Sequence, residues 1–418
     1  MPALEAFHPK QQEVEPDGQR GAEDQAMRRV IELDAIRGIA SVAILMFHLR
    51  FMKKYPTLGT AVDLFFVLSG YLITSILLKG DRSFRELKTF YTRRAFRIWP
   101  IYYLTLVIFL TVNAVFGRGM PTAGWPLYVT YTQFVPDYWG GTSPGFSRLF
   151  DHTWTLAIEE QFYIVWPLLV CLIGRKGVLR VAIPLFLTSV ILRLSGVPRN
   201  LLLARTDGLV LGSFLAALLA DTERLERNRK TFQIAFASLG TVVTLTPFVV
   251  QFLFGEVPVT RTLQAIWPRL EWLTTYFALT LARMALIYFC VVGFIVCSAG
   301  RPYLRPLRNR RLAYIGQISY GLYLYHPFLF VLTIKLRQQL GLRGSSLYDG
   351  FRVACCFALA AFSWRFVERP LLALRDRLTE SSDRITMPRP IPEADLLWKG
   401  PHTGASREVR PGIHNDQN

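Results

Sequence analysis

The sequence predicts an all-α, polytopic membrane helix bundle with both termini in the cytoplasm. Three observations carry this: apolar blocks recur at membrane-crossing length, alternate connections are basic, and the long polar segments sit at the two ends. The blocks run at about 31–51, 61–78, 98–117, 155–174, 178–195, 201–220, 233–254, 277–298, 314–336 and 350–367. Each approaches the ~20 residues that an α-helix needs to cross a ~30 Å hydrocarbon core, so about ten transmembrane helices are expected. A soluble bundle would carry a polar stripe on most of its helices, and these blocks mostly do not. Several contain Gly or Pro, which bundled membrane helices tolerate because neighbours re-satisfy the freed backbone groups. Composition agrees: over 418 residues 51% are hydrophobic and 13% aromatic, while 19% are charged.

Orientation follows from Lys and Arg. The connection at 79–97 carries Lys79, Arg82, Arg85, Lys88, Arg93, Arg94 and Arg97, and those near 174–180, 221–230 and 299–312 are short and also basic. The alternate connections are poorer in these residues, which puts the basic loops, and with them both termini, inside. A net charge of +18 can signal nucleic acid, but these loops and the tail account for it, so no nucleic-acid partner is expected. The first thirty residues are polar and mixed in charge, so no cleavable signal peptide is expected. Segments 1–29 and 373–418 read as flexible cytoplasmic tails. Cys171, Cys290, Cys297, Cys355 and Cys356 all lie in apolar blocks without metal-ligand spacing; they read as small core hydrophobes, and no metal is expected. There is no internal repeat, and the long external loop at about 118–153 is rich in Gly, Pro and aromatics, as a binding vestibule would be.

Ionisable residues inside the spans are costly and need a partner or a function. Arg37 and His48 stand eleven positions apart in the first block. On an α-helix that is close to three turns and a rise of about 16 Å, so both lie on nearly one face. A cation at one depth and a titratable imidazole at another suit an anionic cofactor entering from inside and proton transfer further out. Arg93, Arg94 and Arg97 precede the third block; Arg94 and Arg97 face the same way, and arginine forks match phosphate oxygens. Part of that run is also a topology signal. Glu159 and Tyr163 share a face with Thr155 where the fourth block begins, next to Glu160. Arg205 and Asp207 lead into the sixth block, where a cross-helix salt bridge is expected for Asp207. His326 precedes the helix-kinking Pro327, and Glu368 ends the last block, with a salt bridge as the default.

Six motifs in order now carry a resemblance. They are Arg37 with His48, the run Asp63-Leu64-Phe65-Phe66-Val67-Leu68-Ser69-Gly70-Tyr71, and the Arg93–Pro100 run. Trp154-Thr155-Leu156-Ala157-Ile158-Glu159 with Phe162-Tyr163, the Ile318–Leu324 run to His326, and Val367-Glu368-Arg369-Pro370 complete them. The chain resembles the acyltransferase-3 family of membrane O-acyltransferases over residues 30–372, with Thr155 standing where the family more often has Ser. The resemblance implies transfer of an acyl group, commonly acetyl, from cytoplasmic acyl-CoA to a hydroxyl of a glycan such as a cell-surface polysaccharide or lipopolysaccharide. It implies His48 as the catalytic residue, Arg37, Arg94 and Arg97 as the donor site, and a functional but less defined part for Glu159. We add Arg93 to the donor site and assign Trp154, Tyr163, Arg205 and His326 to the acceptor. Imidazole chemistry allows His48 to act as general base or to take the acyl group itself. Glu159 orients His48 or binds the sugar. The expected setting is a cell membrane, the bacterial inner membrane. The rival from another class is a transporter or flippase of a glycan or lipid-linked substrate, which would need a wide polar cavity and usually repeated halves.

Overall fold

The computed structural model describes residues 30–49, 55–115, 123–138, 148–254, 272–339 and 346–386. The expected N-terminal tail at 1–29, residues 387–418 of the expected C-terminal tail at 373–418, and parts of the 118–153 loop lie outside the described residues. Within the described residues there are helices and turns and no strand. The chain divides into two compact units, Met1–Leu372 and Ala373–Asn418. In the second, residues 373–386 are helical, where a flexible tail was expected.

In chain order the helices are α1 (Ile31–Phe47), α2 (Ala61–Lys79), α3 (Phe84–Val115), and the short α4 (Trp125–Val129) and α5 (Val135–Tyr138). Then come α6 (Trp154–Leu194), α7 (Asp207–Leu218), α8 (Thr222–Arg227), α9 (Arg229–Phe254) and α10 (Trp272–Ser298). The last four are α11 (Arg310–Gln317), α12 (Ser319–Gln339), α13 (Ser346–Ser363) and α14 (Arg369–Thr386), with a π-helical turn at Trp364–Glu368 between the final two. Among the described residues, six stretches are long and apolar enough to cross a membrane: Thr57–Lys79, Phe84–Val115, Leu149–Leu194, Arg229–Val249, Ala278–Ser298 and Tyr348–Arg377. Their outer faces are apolar. Val107, Ile108 and Val112 on α3, Ile164, Leu168 and Leu172 on α6, and Ile234, Val242 and Phe248 on α9 are all exposed, Leu172 by 83%. Greasy residues turned outward on several long helices suit lipid and would be a liability in water. The molecule is an all-α membrane bundle.

Three of the expected blocks differ in form. Those at 155–174 and 178–195 are joined in the 41-residue α6, which is broken by non-helical backbone at Gly174 (φ 58°, ψ −169°) and has no loop between its halves. That conformation is open to glycine and strained for any other residue, so the break is written into the sequence at one position. The block at 201–220 forms a 3-10 turn at Leu203–Arg205 and then the 12-residue α7. Twelve residues rise about 18 Å, too little to cross alone.

What places α2 is its seam with α7. Gly208 and Gly212 stand one turn apart on α7, Gly208 against Phe66 and Gly212 against the Val67 backbone of α2, while Gly70 of α2 meets the Leu209 backbone: a Cβ on Gly212 would collide with the Val67 carbonyl, and one on Gly70 with the Leu209 carbonyl. Small residues at this spacing let membrane helices approach closely, where dispersion contacts hold them. At the end of the seam lies a buried ion cluster. Arg205 pairs with Asp63 of α2 at 2.5 Å and with Asp207 at 3.3 Å, while Arg193 at the end of α6 pairs with Asp207 at 2.9 Å. Two cations balance two anions, which is the condition for burying charge in a bundle.

Candidate active site

Five helices enclose a cavity of about 100 Å³. Each contributes one face at helical spacing: Arg37, Ser41 and Ile44 from α1; Phe65, Phe66 and Ser69 from α2; Arg94, Arg97 and Ile98 from α3; Thr155, Glu159 and Tyr163 from α6; Ser319, Tyr323 and His326 from α12. The wall therefore holds three guanidinium groups and one carboxylate, an excess of positive charge.

The polar side chains in this wall form a directed network. Tyr163 donates its phenolic hydrogen to Ser69 Oγ (3.0 Å), and Ser69 Oγ donates to Glu159 Oε1 (2.7 Å). Over the Tyr163 ring lies the Arg94 guanidinium, 3.8 Å from the centroid, while Arg37 is 6.0 Å from the ring centroid of Phe65. Tyr323 donates to the carbonyl of His152 (2.6 Å), so in its 2.9 Å contact with Thr155 it accepts from the threonine hydroxyl. Tyr320 donates to the carbonyl of Ile98 (3.0 Å), tying α12 to α3.

Three imidazoles gather beyond the network. His48 caps the C-terminus of α1 and is exposed, and its Nδ1 is 2.8 Å from the Ile44 carbonyl oxygen. A carbonyl only accepts, so Nδ1 carries the proton and Nε2 the lone pair. The His48 ring centroid is 4.7 Å from that of His326, which is 5.3 Å from that of His152. His326 is buried and belongs to the cavity wall, so the imidazoles adjoin the cavity through it.

The expected site residues separate into two groups. Arg37, Arg94, Arg97, Glu159, Tyr163 and His326 share the cavity, and His48 adjoins it through His326. Three stand elsewhere. Arg93 is exposed on α3 and is not in the wall. Trp154 packs edge-on against Phe66, with ring centroids 6.3 Å apart, behind the wall. Arg205, assigned above to the acceptor, is held in the ion cluster with Asp63 and Asp207; the expected salt bridge of Asp207 is present there. Glu368, expected in a salt bridge, accepts a hydrogen bond from Ser363 Oγ (3.0 Å). The sequence alone assigns no role to Ser69, Ser41, Tyr323 or His152. A lone hydroxyl in an apolar block was the available signal for Ser69, since polar groups in spans find partners. Among the described residues no group of three or more His, Cys, Asp or Glu is arranged to hold a metal ion.

Residues 30–366 match the acyltransferase-3 family model, described as an acyltransferase domain. The chain is 29% identical to the peptidoglycan O-acetyltransferase OatA of Listeria monocytogenes over 82% of its own length and 56% of that protein. To the putative peptidoglycan O-acetyltransferase YrhL of Bacillus subtilis it is also 29% identical, over 82% of this chain and 55% of the other. A putative O-acetyltransferase of Staphylococcus aureus is 27% identical over 82% and 57%. The chain thus spans somewhat more than half the length of these curated relatives. No solved structure matches it.

Proposed function

Because the chain belongs to the acyltransferase-3 family, we propose that it is a multi-pass O-acyltransferase that moves an acetyl group from cytoplasmic acyl-CoA to a hydroxyl of a cell-envelope glycan. One observation carries the reading: a single cavity brings Arg37, Arg94 and Arg97 together with Glu159 and extends to His326, the neighbour of His48. The excess of guanidinium over carboxylate fits an anionic donor, and arginine forks suit its phosphates. The apolar wall at Ile44, Phe65 and Ile98 suits the pantetheine arm. Along α1 the rise from Arg37 to His48 is about 16 Å, comparable to that arm, so phosphates held at the arginines would bring the thioester towards the imidazoles.

His48, neutral and with its lone pair on Nε2, acts as general base on the acceptor hydroxyl. The acceptor approaches from the exposed side of His48, and Glu159 serves within the wall, held by Ser69. In this orientation the basic connections and both termini face the cytoplasm and the acceptor lies outside, in a bacterial inner membrane. A reporter after residue 378 should be cytoplasmic and one near Gly141 external; both on one side would defeat the orientation.

The decisive experiment is acyl transfer by the purified chain in detergent with acetyl-CoA and a panel of glycan oligomers. Without a membrane there is no gradient, so donor-dependent acylation supports the enzyme. Binding of glycan with no acyl transfer would favour a transporter or flippase, the reading that shares the same buried charges.

A further inference from the structure

We propose that His326 is a catalytic residue in its own right, a second imidazole that carries a proton between His48 and the sulfur of the donor. This rests on the acyl-transfer reading above and adds a step to it.

The argument begins with a proline. Pro327 has no N–H, so the carbonyl four residues earlier, that of Tyr323, loses its helical donor. His326 Nδ1 stands 2.7 Å from that carbonyl oxygen and 3.2 Å from the carbonyl of Leu322. Both are acceptors only, so the proton is fixed on Nδ1 and the lone pair on Nε2. His326 is 2% exposed and forms part of the cavity wall, and its Nε2 has no hydrogen-bond partner among the described residues. An imidazole held only by packing has no reason to leave a buried acceptor atom without a partner, which costs about 1–3 kcal/mol. The same device sets His48. At the C-terminus of α1 the Ile44 carbonyl is served by Nδ1 of the ring, which again leaves the lone pair on Nε2. Two imidazoles of one tautomer thus stand with centroids 4.7 Å apart, one exposed and one in the donor cavity.

Acyl transfer from a thioester to a hydroxyl moves one proton from oxygen to sulfur. The acceptor oxygen bonds to the thioester carbonyl carbon while His48 Nε2 takes its proton. The carbon–sulfur bond then breaks and the sulfur leaves with the bonding pair as thiolate. His326 Nε2 receives the proton from His48 and passes it to the sulfur, which returns both rings to the neutral state. No oxidant, reductant or metal enters the balance. The sequence His-Pro builds the relay, since the proline supplies the carbonyl that orients the histidine.

The test uses the full chain in detergent, acetyl-CoA as donor and a soluble N-acetylglucosamine oligomer as acceptor, with water as the acceptor when none is added. In His326→Asn the amide nitrogen can keep the bond to the Tyr323 carbonyl while Nε2 is lost. It should bind acetyl-CoA normally and lose turnover by about 100-fold, the lower end for a general acid–base group. His326→Ala should be equally slow and should recover part of its turnover when imidazole is added, a rescue that a packing role would not give. Near-normal turnover by His326→Asn overturns the assignment, as does a slow His326→Ala that added imidazole does not help. Were Asn to destabilise the bundle, the imidazole rescue of Ala alone would decide. No turnover by the unmodified chain with any acceptor would instead defeat the acyl-transfer reading on which this one rests.

Discussion

Ser69 donates its hydroxyl hydrogen to Glu159 across 2.7 Å, joining α2 to α6 between residues 90 positions apart. Because Tyr163 donates to the same Ser69 oxygen, one hydroxyl sets both the carboxylate and the phenol over which Arg94 lies. Ser69→Ala leaves Glu159 and Tyr163 short of a partner at once. A hydrogen bond to a charged group contributes about 1.5–3 kcal/mol, so the variant should melt at lower temperature in detergent. Turnover should fall further than that of Tyr163→Phe, which removes one bond and keeps the Ser69–Glu159 contact. Equal turnover in all three proteins would show that Glu159 needs no support from Ser69.

The arginines differ in what they face. Arg94 and Arg97 are in the cavity wall, whereas Arg93 beside them is exposed and outside it. Replacing Arg94 and Arg97 together with Gln should weaken acetyl-CoA binding, measured by calorimetry, while the protein still inserts. Arg93→Gln should bind the donor as the unmodified chain does. If the single Arg93 variant weakens binding as much as the double one, the run acts through its overall charge and not through the cavity.

Arg205 gives a sharper separation between structure and recognition. It is 2% exposed and pairs with Asp63 and Asp207. Removing one member of a buried pair costs about 3–5 kcal/mol, because the partner is left charged without compensation. Asp63→Asn and Arg205→Gln should therefore both reduce the yield of folded protein, and the folded remainder should keep its donor affinity. A stable Arg205→Gln protein with a selective loss of acceptor binding would return this residue to the acceptor site.

How much of this was legible depends on the range of the interaction. Arg37 and the alignment of His48 with it follow from local helical geometry, and so do the shared faces of Thr155, Glu159 and Tyr163. The apolar blocks likewise announce the helices. Partners across helices are a different matter: nothing in the run around Ser69 names Glu159, and nothing around His48 names His326. Arg205 illustrates the cost, since an arginine in an apolar setting reads the same whether it meets a substrate or a buried aspartate. The interruption near Gly174 was legible as the end of an apolar block, but not that the helix resumes at once after φ 58° at that one glycine, without a loop. The shortness of α7 was hidden because composition does not distinguish its preceding 3-10 turn from more helix.

His48 is where the proposed chemistry is most exposed to disproof. It caps α1, its Nδ1 is fixed by the Ile44 carbonyl, and its ring adjoins His326 at the cavity. His48→Ala removes the base and also a hydrogen bond at the end of α1, so stability must be followed on the same samples. His48→Asn separates the two effects, since its amide can still serve the carbonyl and has no basic nitrogen. Both should bind acetyl-CoA, because the arginines proposed to hold it begin three helical turns away at Arg37. Acyl transfer should fall on the order of 10²–10⁴-fold in each, the range for a general base. A stable His48→Asn protein with near-normal turnover would defeat the mechanism, and Glu159, in the same wall and oriented by Ser69, would become the leading base.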